Sequence, residues 1–200
     1  MFVKALISAL GLCAAVSATA TPLVNGDFEA GLTGWTTADN VYLAYPAGGA
    51  FWFGAGSSAQ NGNYAVAFNA GDSAPNGSIG QTFATTARAH YTVTFDFGAT
   101  SCQRSCGQSL VASAIGNDGV AALAGLTAQG ASSGPLGKFT FDFVANGNKT
   151  TLRFSDIDAN DSLWLDGVLD NVNVQAVPEP ASLALLGLGL LGLAASRRRK

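Results

Sequence analysis

The sequence predicts an all-β fold, two antiparallel sheets packed face to face, and three observations carry that prediction. His90 to Phe97 alternates strictly, with Tyr91, Val93, Phe95 and Phe97 on one face and Thr92, Thr94 and Asp96 on the other, the period of a strand with one buried side. The 25 glycines, with many Ser, Thr and Asn residues, divide the chain into short segments separated by turns. Charged residues are only 12% of the 200, about half the usual share, which suits an exported β-protein whose polar surface is hydroxyl and amide. This length holds one domain with a real core.

In chain order, residues 1–20, MFVKALISALGLCAAVSATA, form a signal peptide. Lys4 supplies the positive end, Ala5 to Val16 the apolar stretch, and Ala18-Thr19-Ala20 the small-x-small pattern that a signal peptidase reads, so cleavage is expected after Ala20. Residues 21–176 are expected to form the sandwich. Its candidate strands run 25–29, 41–45, 64–68, 78–83, 90–97, 110–115, 138–143, 151–154 and 169–174. Lys138 to Phe143 repeats the alternation through Phe139, Phe141 and Phe143, and the Asn146-Gly147 turn signal predicts an antiparallel hairpin with Thr151 to Phe154. No segment before the tail holds a helical period over three turns; Ala121 to Ala128 comes nearest, and Gly125 interrupts it. Strands with one apolar face each must bury those faces against one another, and the economical arrangement is a sandwich of jelly-roll type.

Two cysteines remain after the signal is removed, Cys102 and Cys106, with three residues between them in a polar stretch. In an exported chain they are expected to close a short disulfide ring; a zinc site needs more ligands than they and His90, the one histidine, supply. Such a ring pins its loop and adds little else, because the closure term grows with loop length.

The acidic residues raise a sharper question. Asn25-Gly-Asp-Phe-Glu29 opens the domain, and Leu169-Asp-Asn-Val-Asn-Val174 closes it, with Asp170 at the parity of Val172 and Val174. If those valines face the core, a carboxylate enters an apolar layer, which is costly unless a cation or several donors meet it. Asp156, Asp158 and Asp161 lack the glycine and closing Glu of an EF-hand and are expected in a solvated turn. Between residues 21 and 176 there are five cations and twelve acids, a net charge of −7. That balance excludes phosphate-directed nucleic-acid binding and binding to an anionic membrane.

Catalysis finds little support. His90 opens an alternating strand opposite in parity to Tyr91 and is expected to be exposed, leaving no base for a nucleophilic triad. Glu occurs only at 29 and 179, which disfavours paired-carboxylate glycoside chemistry, so no enzyme is expected. Binding has better candidates. Tyr45 and Trp52 flank a glycine-framed segment, and aromatic faces presented there stack on sugar rings; the alternative is that Trp35, Trp52 and Trp164 fill the core.

Asn25-Gly-Asp-Phe-Glu29 with the following Gly34-Trp35, Gly77-Ser-Ile-Gly-Gln-Thr-Phe83 with His90 to Phe97, and Leu169 to Val174 resemble the carbohydrate-binding-module-like jelly-roll domains of exported bacterial proteins. In related sugar-binding modules the first and last strands meet and often hold a structural calcium ion through an acid from each. The resemblance implies Glu29 and Asp170 as those acids, with Asp27 a third, and hard carboxylate oxygens suit calcium. The competing reading makes Asp27 a turn former and Glu29 a solvated strand end.

The tail, residues 177–200, is different in kind. Val177-Pro-Glu-Pro-Ala-Ser182, an apolar run to Ala195 and the basic Arg197-Arg-Arg-Lys200 closely resemble the PEP-CTERM sorting signal, which membrane transpeptidases called exosortases recognise in Gram-negative bacteria. Pro178 and Pro180 around Glu179 keep the recognition stretch extended. At ~1.5 Å per residue a helix over Ala181 to Ala195 spans ~22 Å, short of a ~30 Å hydrocarbon core, which favours a temporary inner-membrane anchor. The cations hold that end in the cytoplasm and place the sandwich outside. Together these expectations describe an exported, surface-sorted protein of the extracellular polysaccharide layer, structural or carbohydrate-binding, whose partners are signal peptidase, the exosortase and polysaccharide. A protein-binding adhesin is the alternative, and a glycan-active enzyme a further one.

Overall fold

In a computed structural model the described residues are 23–44, 62, 64–68, 76–99, 107–131, 136–157, 167–178 and 189. The chain divides into Ala18–Val177, the sandwich, and a second unit of Met1–Ser17 with Pro178–Lys200, of which only Pro178 and Gly189 are described. Among the described residues no helix is long and apolar enough to cross a membrane.

Ten strands are described: β1 Thr36–Ala38, β2 Val41–Ala44, β3 Ala65–Phe68, β4 Ser78–Ala84, β5 His90–Ala99, β6 Gly107–Ile115, β7 Ala122–Ala131, β8 Gly137–Val144, β9 Lys149–Asp156 and β10 Gly167–Val177. They form two five-stranded sheets, β1-β4-β9-β6-β7 and β2-β3-β10-β5-β8, in which every strand pair is antiparallel. The alternation of β5 is realised as predicted, with Tyr91, Val93, Phe95 and Phe97 buried in the core. Phe95 meets Phe154 of the facing sheet edge-on at 5.1 Å, and Phe154 in turn packs near Trp35 at 6.4 Å. Trp35 therefore fills the core, its Nε1 donating to Asn25 O at 2.9 Å.

Three expectations are corrected. The segment 25–29 is a set of turns, with Asn25 and Phe28 in the left-handed region (φ 52° and 55°). The side chain of Asn25 organises it, accepting from Ala30 N at 2.9 Å and donating to Gly31 O at 2.8 Å, the local bonding that makes Asn a turn former.

Nor do 138–143 and 151–154 form a hairpin. β8 pairs with β5 and β9 with β4 and β6, so Ala145–Asn148 crosses from one sheet to the other. Its backbone groups bond the neighbouring crossing at Thr85–Ala89: Thr85 N donates to Asn148 O (2.9 Å), Arg88 N to Ala145 O (2.7 Å) and Ala145 N to Ala89 O (3.0 Å). Asn146-Gly147 marks a reversal, and these bonds decide that it runs between layers.

Asp156, expected in a solvated turn, ends β9 and is buried, its amide donating to Gly77 O at 3.0 Å; Asp158 and Asp161 lie outside the described residues. Ala121 to Ala128, the segment closest to a helical pattern, falls in strand β7 from Ala122 on, and β7 is joined to β6 by a turn in which Asp118 accepts from Val120 N and Ala121 N. The Val120 and Ala121 amides hold the Asp118 carboxyl below its ordinary range.

Candidate ligand groove on the outer face

The outer face of the second sheet is built from the residues of β5 that alternate with its core residues. Cross-strand register sets out four rows over β10, β5 and β8: Asp170–Asp96–Lys138, Asn173–Thr94–Thr140, Gln175–Thr92–Asp142 and Val177–His90–Val144. Two rows are bonded internally or to the sheet, Thr92 Oγ1 donating to Asp142 Oδ1 (2.6 Å) and Thr140 Oγ1 to Val93 O (3.0 Å).

A β-bulge positions the first row. Between Asp170 and Asn173 the register of β10 slips, with Asn171 in the left-handed region (φ 51°), so that Asp170 stands opposite Asp96 on the outer face while Val172 and Val174 remain in the core. The expectation that Asp170 shares the valines' face is thereby corrected: the extra residue changes the parity between them. Beyond the bulge the opening turn lies against β10, Val172 N donating to Gly26 O at 2.8 Å. A Cβ on Gly26 would run into the Val172 carbonyl oxygen, so this approach requires glycine.

Together the turn and the sheet enclose an open groove of about 470 Å³ lined by Asn25, Gly26, Asp27, Thr94, Lys138, Asn171, Val172 and Asn173. Beside it, and not among its lining residues, lie two buried carboxyl groups: Asp96 is 4% exposed and Asp170 2%, and like charges on neighbouring strands cost free energy unless other groups compensate. Asn171 supplies part of that compensation: its Nδ2 donates to Asp96 Oδ2 at 2.8 Å and its amide to Asp170 Oδ1 at 2.7 Å. Lys138 Nζ stands 3.1 Å from Asp96 Oδ1 as an ion pair without hydrogen-bond alignment, and its side chain is 70% exposed toward solvent. Because one partner is so exposed, screening keeps this pair weak, and its main effect is to place a donor at the groove. Amides, hydroxyls and one ammonium around an open cleft are what is needed to hydrogen-bond a polar ligand.

The remaining sequence candidates are distributed as follows. Asp27 is exposed on the groove wall. Glu29 is half-buried, its Oε1 accepting from Tyr64 N at 2.9 Å, so it is not the solvated strand end of the competing reading. The opening turn and closing strand do meet, at Gly26 and Val172, but among the described residues no three His, Cys, Asp or Glu side chains gather as a metal site. His90 is exposed at the end of β5. Tyr45, Trp52, Trp164, Cys102, Cys106, Glu179 and Pro180 lie outside the described residues, and Pro178 directly follows β10. Lys138, Asn171, Asn173 and Thr94 are groove residues that the sequence reading did not single out. The outward parity of Thr94 was the available signal for that one.

These features define a β-sandwich of two five-stranded antiparallel sheets, of jelly-roll type. The chain belongs to the DUF642 family, whose model, described as a protein of unknown function, matches residues 21–175. The PEP-CTERM protein-sorting motif matches residues 176–200, so the chain is an exported protein carrying the tag for exosortase processing. Among solved structures, TmCBM61 in complex with β-1,4-galactotriose is similar with a TM-score of 0.58 at 15% identity, covering 78% of this chain and 97% of that one. The Stig cyclase Fisc from Fischerella sp. TAU, in complex with an indole ligand, gives a TM-score of 0.57 at 18% identity over 81% of this chain and 99% of that one. The Family 16 Carbohydrate Binding Module-2 gives 0.51 at 15% identity over 76% and 98%. At these identities the likeness is one of fold. No curated protein matches the chain.

Proposed function

We propose that the exported protein is cut by an exosortase in the envelope of a Gram-negative bacterium and then works, without catalysis, in the extracellular polysaccharide layer by holding a glycan in the groove on the outer face of β10, β5 and β8. The observation that carries this reading is the groove itself, a cleft of about 470 Å³ that presents the side chains of Thr94, Lys138, Asn171 and Asn173. Its exposed charges, Lys138 and Asp27, are of opposite sign, which fits a neutral, hydroxyl-rich ligand. Binding of polysaccharides to the processed protein, measured by affinity electrophoresis and a glycan array, tests it. Thr94→Ala with Asn173→Ala should weaken binding by about fivefold or more, since each lost hydrogen bond is worth about 0.5–1.5 kcal/mol. Unchanged binding in that variant would place the ligand elsewhere, and Tyr45 with Trp52 are then the next residues to change.

Calcium belongs to the same proposal, as a structural ion that Asp170 and Glu29 would help to hold where the opening turn meets β10. Supporting it is the facing of the Asp96 and Asp170 carboxylates, whose repulsion a nearby divalent cation would reduce. An ion a hundredfold above its Kd stabilises by about 2.7 kcal/mol, which for a domain of this size raises Tm by roughly 5–10 °C. Melting in millimolar calcium should therefore exceed melting in chelator, and Asp170→Ala should abolish the difference. Superimposable curves for the unmodified protein would remove the ion.

A further inference from the structure

We infer that the peptide taken by the processing enzyme is longer than Pro178-Glu179-Pro180 and reaches back into β10, so that Gln175–Val177 must leave β5 before the tail is cut. This rests on the reading of the tail as an exosortase signal, and it specifies what that enzyme binds.

The first ground is spacing. β10 stays in register with β5 through Gln175↔Thr92, Ala176↔Tyr91 and Val177↔His90, and Pro178 follows the last pair with no spacer. The apolar run begins at Ala181, so only three residues separate a paired strand from a membrane-entering segment. Fully extended, three residues reach about 10 Å. An enzyme that binds its substrate as an extended peptide engages backbone groups and alternate side chains over several residues, which a chain still paired to β5 does not offer. Releasing Gln175–Val177 doubles the free segment to six residues, about 20 Å.

The second ground is that this end of β10 is held weakly while the rest is held firmly. Among the described residues β3 pairs with β10 only at Val168 and Leu169, so beyond the bulge β10 has a ladder on the β5 side alone. Gln175 and Val177 are exposed and Ala176 is half-buried, whereas Val172 and Val174 are in the core. Peeling from the C-terminal end therefore takes from the core's edge only the half-buried Ala176, a single methyl group, and it stops at Val174. Pro178 and Pro180 have no amide hydrogen to extend the ladder, which keeps the pairing from spreading into the motif.

The test is a lock at the last register pair. Cross-strand Cα separations in antiparallel sheets lie within the range a disulfide takes, so His90→Cys with Val177→Cys, oxidised on export, ties the end of β10 to β5. In cells that make the exosortase, the full-length locked precursor should be cut about tenfold more slowly or not at all, because the competent peptide is then rarely populated. The same lock with a six-residue Gly-Ser spacer inserted between Val177 and Pro178 should be cut at the normal rate. Normal cutting of the locked precursor, or failure of the spacer to restore it, overturns the inference. If Pro178-Glu179-Pro180→Ala is also cut normally, the sorting reading itself falls. If that variant stays uncut while the lock has no effect, only the extension into β10 falls.

Discussion

Deleting Asn171 should leave the sandwich folded and turn β10 into a regular strand. On one side of this residue Val168 and Leu169 are pinned by both β3 and β5; on the other Val174 stands opposite Val93 in the core. Asn171 and Val172 together face Phe95 at the bulge. With Asn171 removed, Asp170, Val172, Asn173 and Val174 alternate with period two on the faces they already hold, so neither valine leaves the core. What is lost is the bond from the Asn171 side chain to Asp96 and that from its amide to Asp170, a net cost of about 1–3 kcal/mol against a domain's whole stability of about 5–15 kcal/mol. Asn171→Gly keeps the bulge and suits its positive φ, losing mainly the bond to Asp96, for a net cost of about 1–2 kcal/mol. Equilibrium urea unfolding of the two variants checks this. A deletion variant that is unfolded in water while Asn171→Gly is folded would mean that β10 cannot close over the missing residue.

Replacing Pro178-Glu179-Pro180 with alanines should leave the protein uncut in the membrane, an all-or-none effect. The apolar run and Arg197-Arg198-Arg199-Lys200 are intact in this variant, so insertion and orientation are retained. What is lost is the extended, proline-fixed stretch, since alanines permit the helix to continue toward β10. Mass spectrometry of the unmodified exported protein should find a chain beginning at Thr21 and lacking the four basic residues. A mature protein that retains Lys200, or normal cutting of the alanine variant, would contradict the sorting assignment.

How much of this was legible beforehand varied with the physical signal. The alternation of β5 identified both the core residues and, through Thr92, Thr94 and Asp96, the middle of the outer face. β7 was missed because Ala, Leu and Gly offer too little contrast in polarity for period two to show. The Asn146-Gly147 signal correctly marked a reversal, but a turn dipeptide carries no information about which sheet the chain enters next. At 25–29 the turn-forming chemistry of Asn25, Gly26 and Asp27 outweighs the strand reading, and the pattern was present in the residue types themselves. The bulge was not readable: nothing local distinguishes Asn171 from Asn173, and only pairing with β3 and β5 decides which one adopts the left-handed conformation. The burial of Asp96 and Asp170 follows from that choice.

The place of β10 between β3 and β5 has a consequence for how the molecule comes into being. β3 and β5, both from the first half of the chain, are joined in this sheet only through the last strand, and the opening turn docks on that same strand by way of Gly26 and Val172. A chain threaded outward from its N-terminus thus carries an unfinished sheet until nearly all of the domain has emerged, and closure by such distant segments is intrinsically slow. The residues that follow β10 are those of the sorting motif, so the sheet is completed only as that motif arrives.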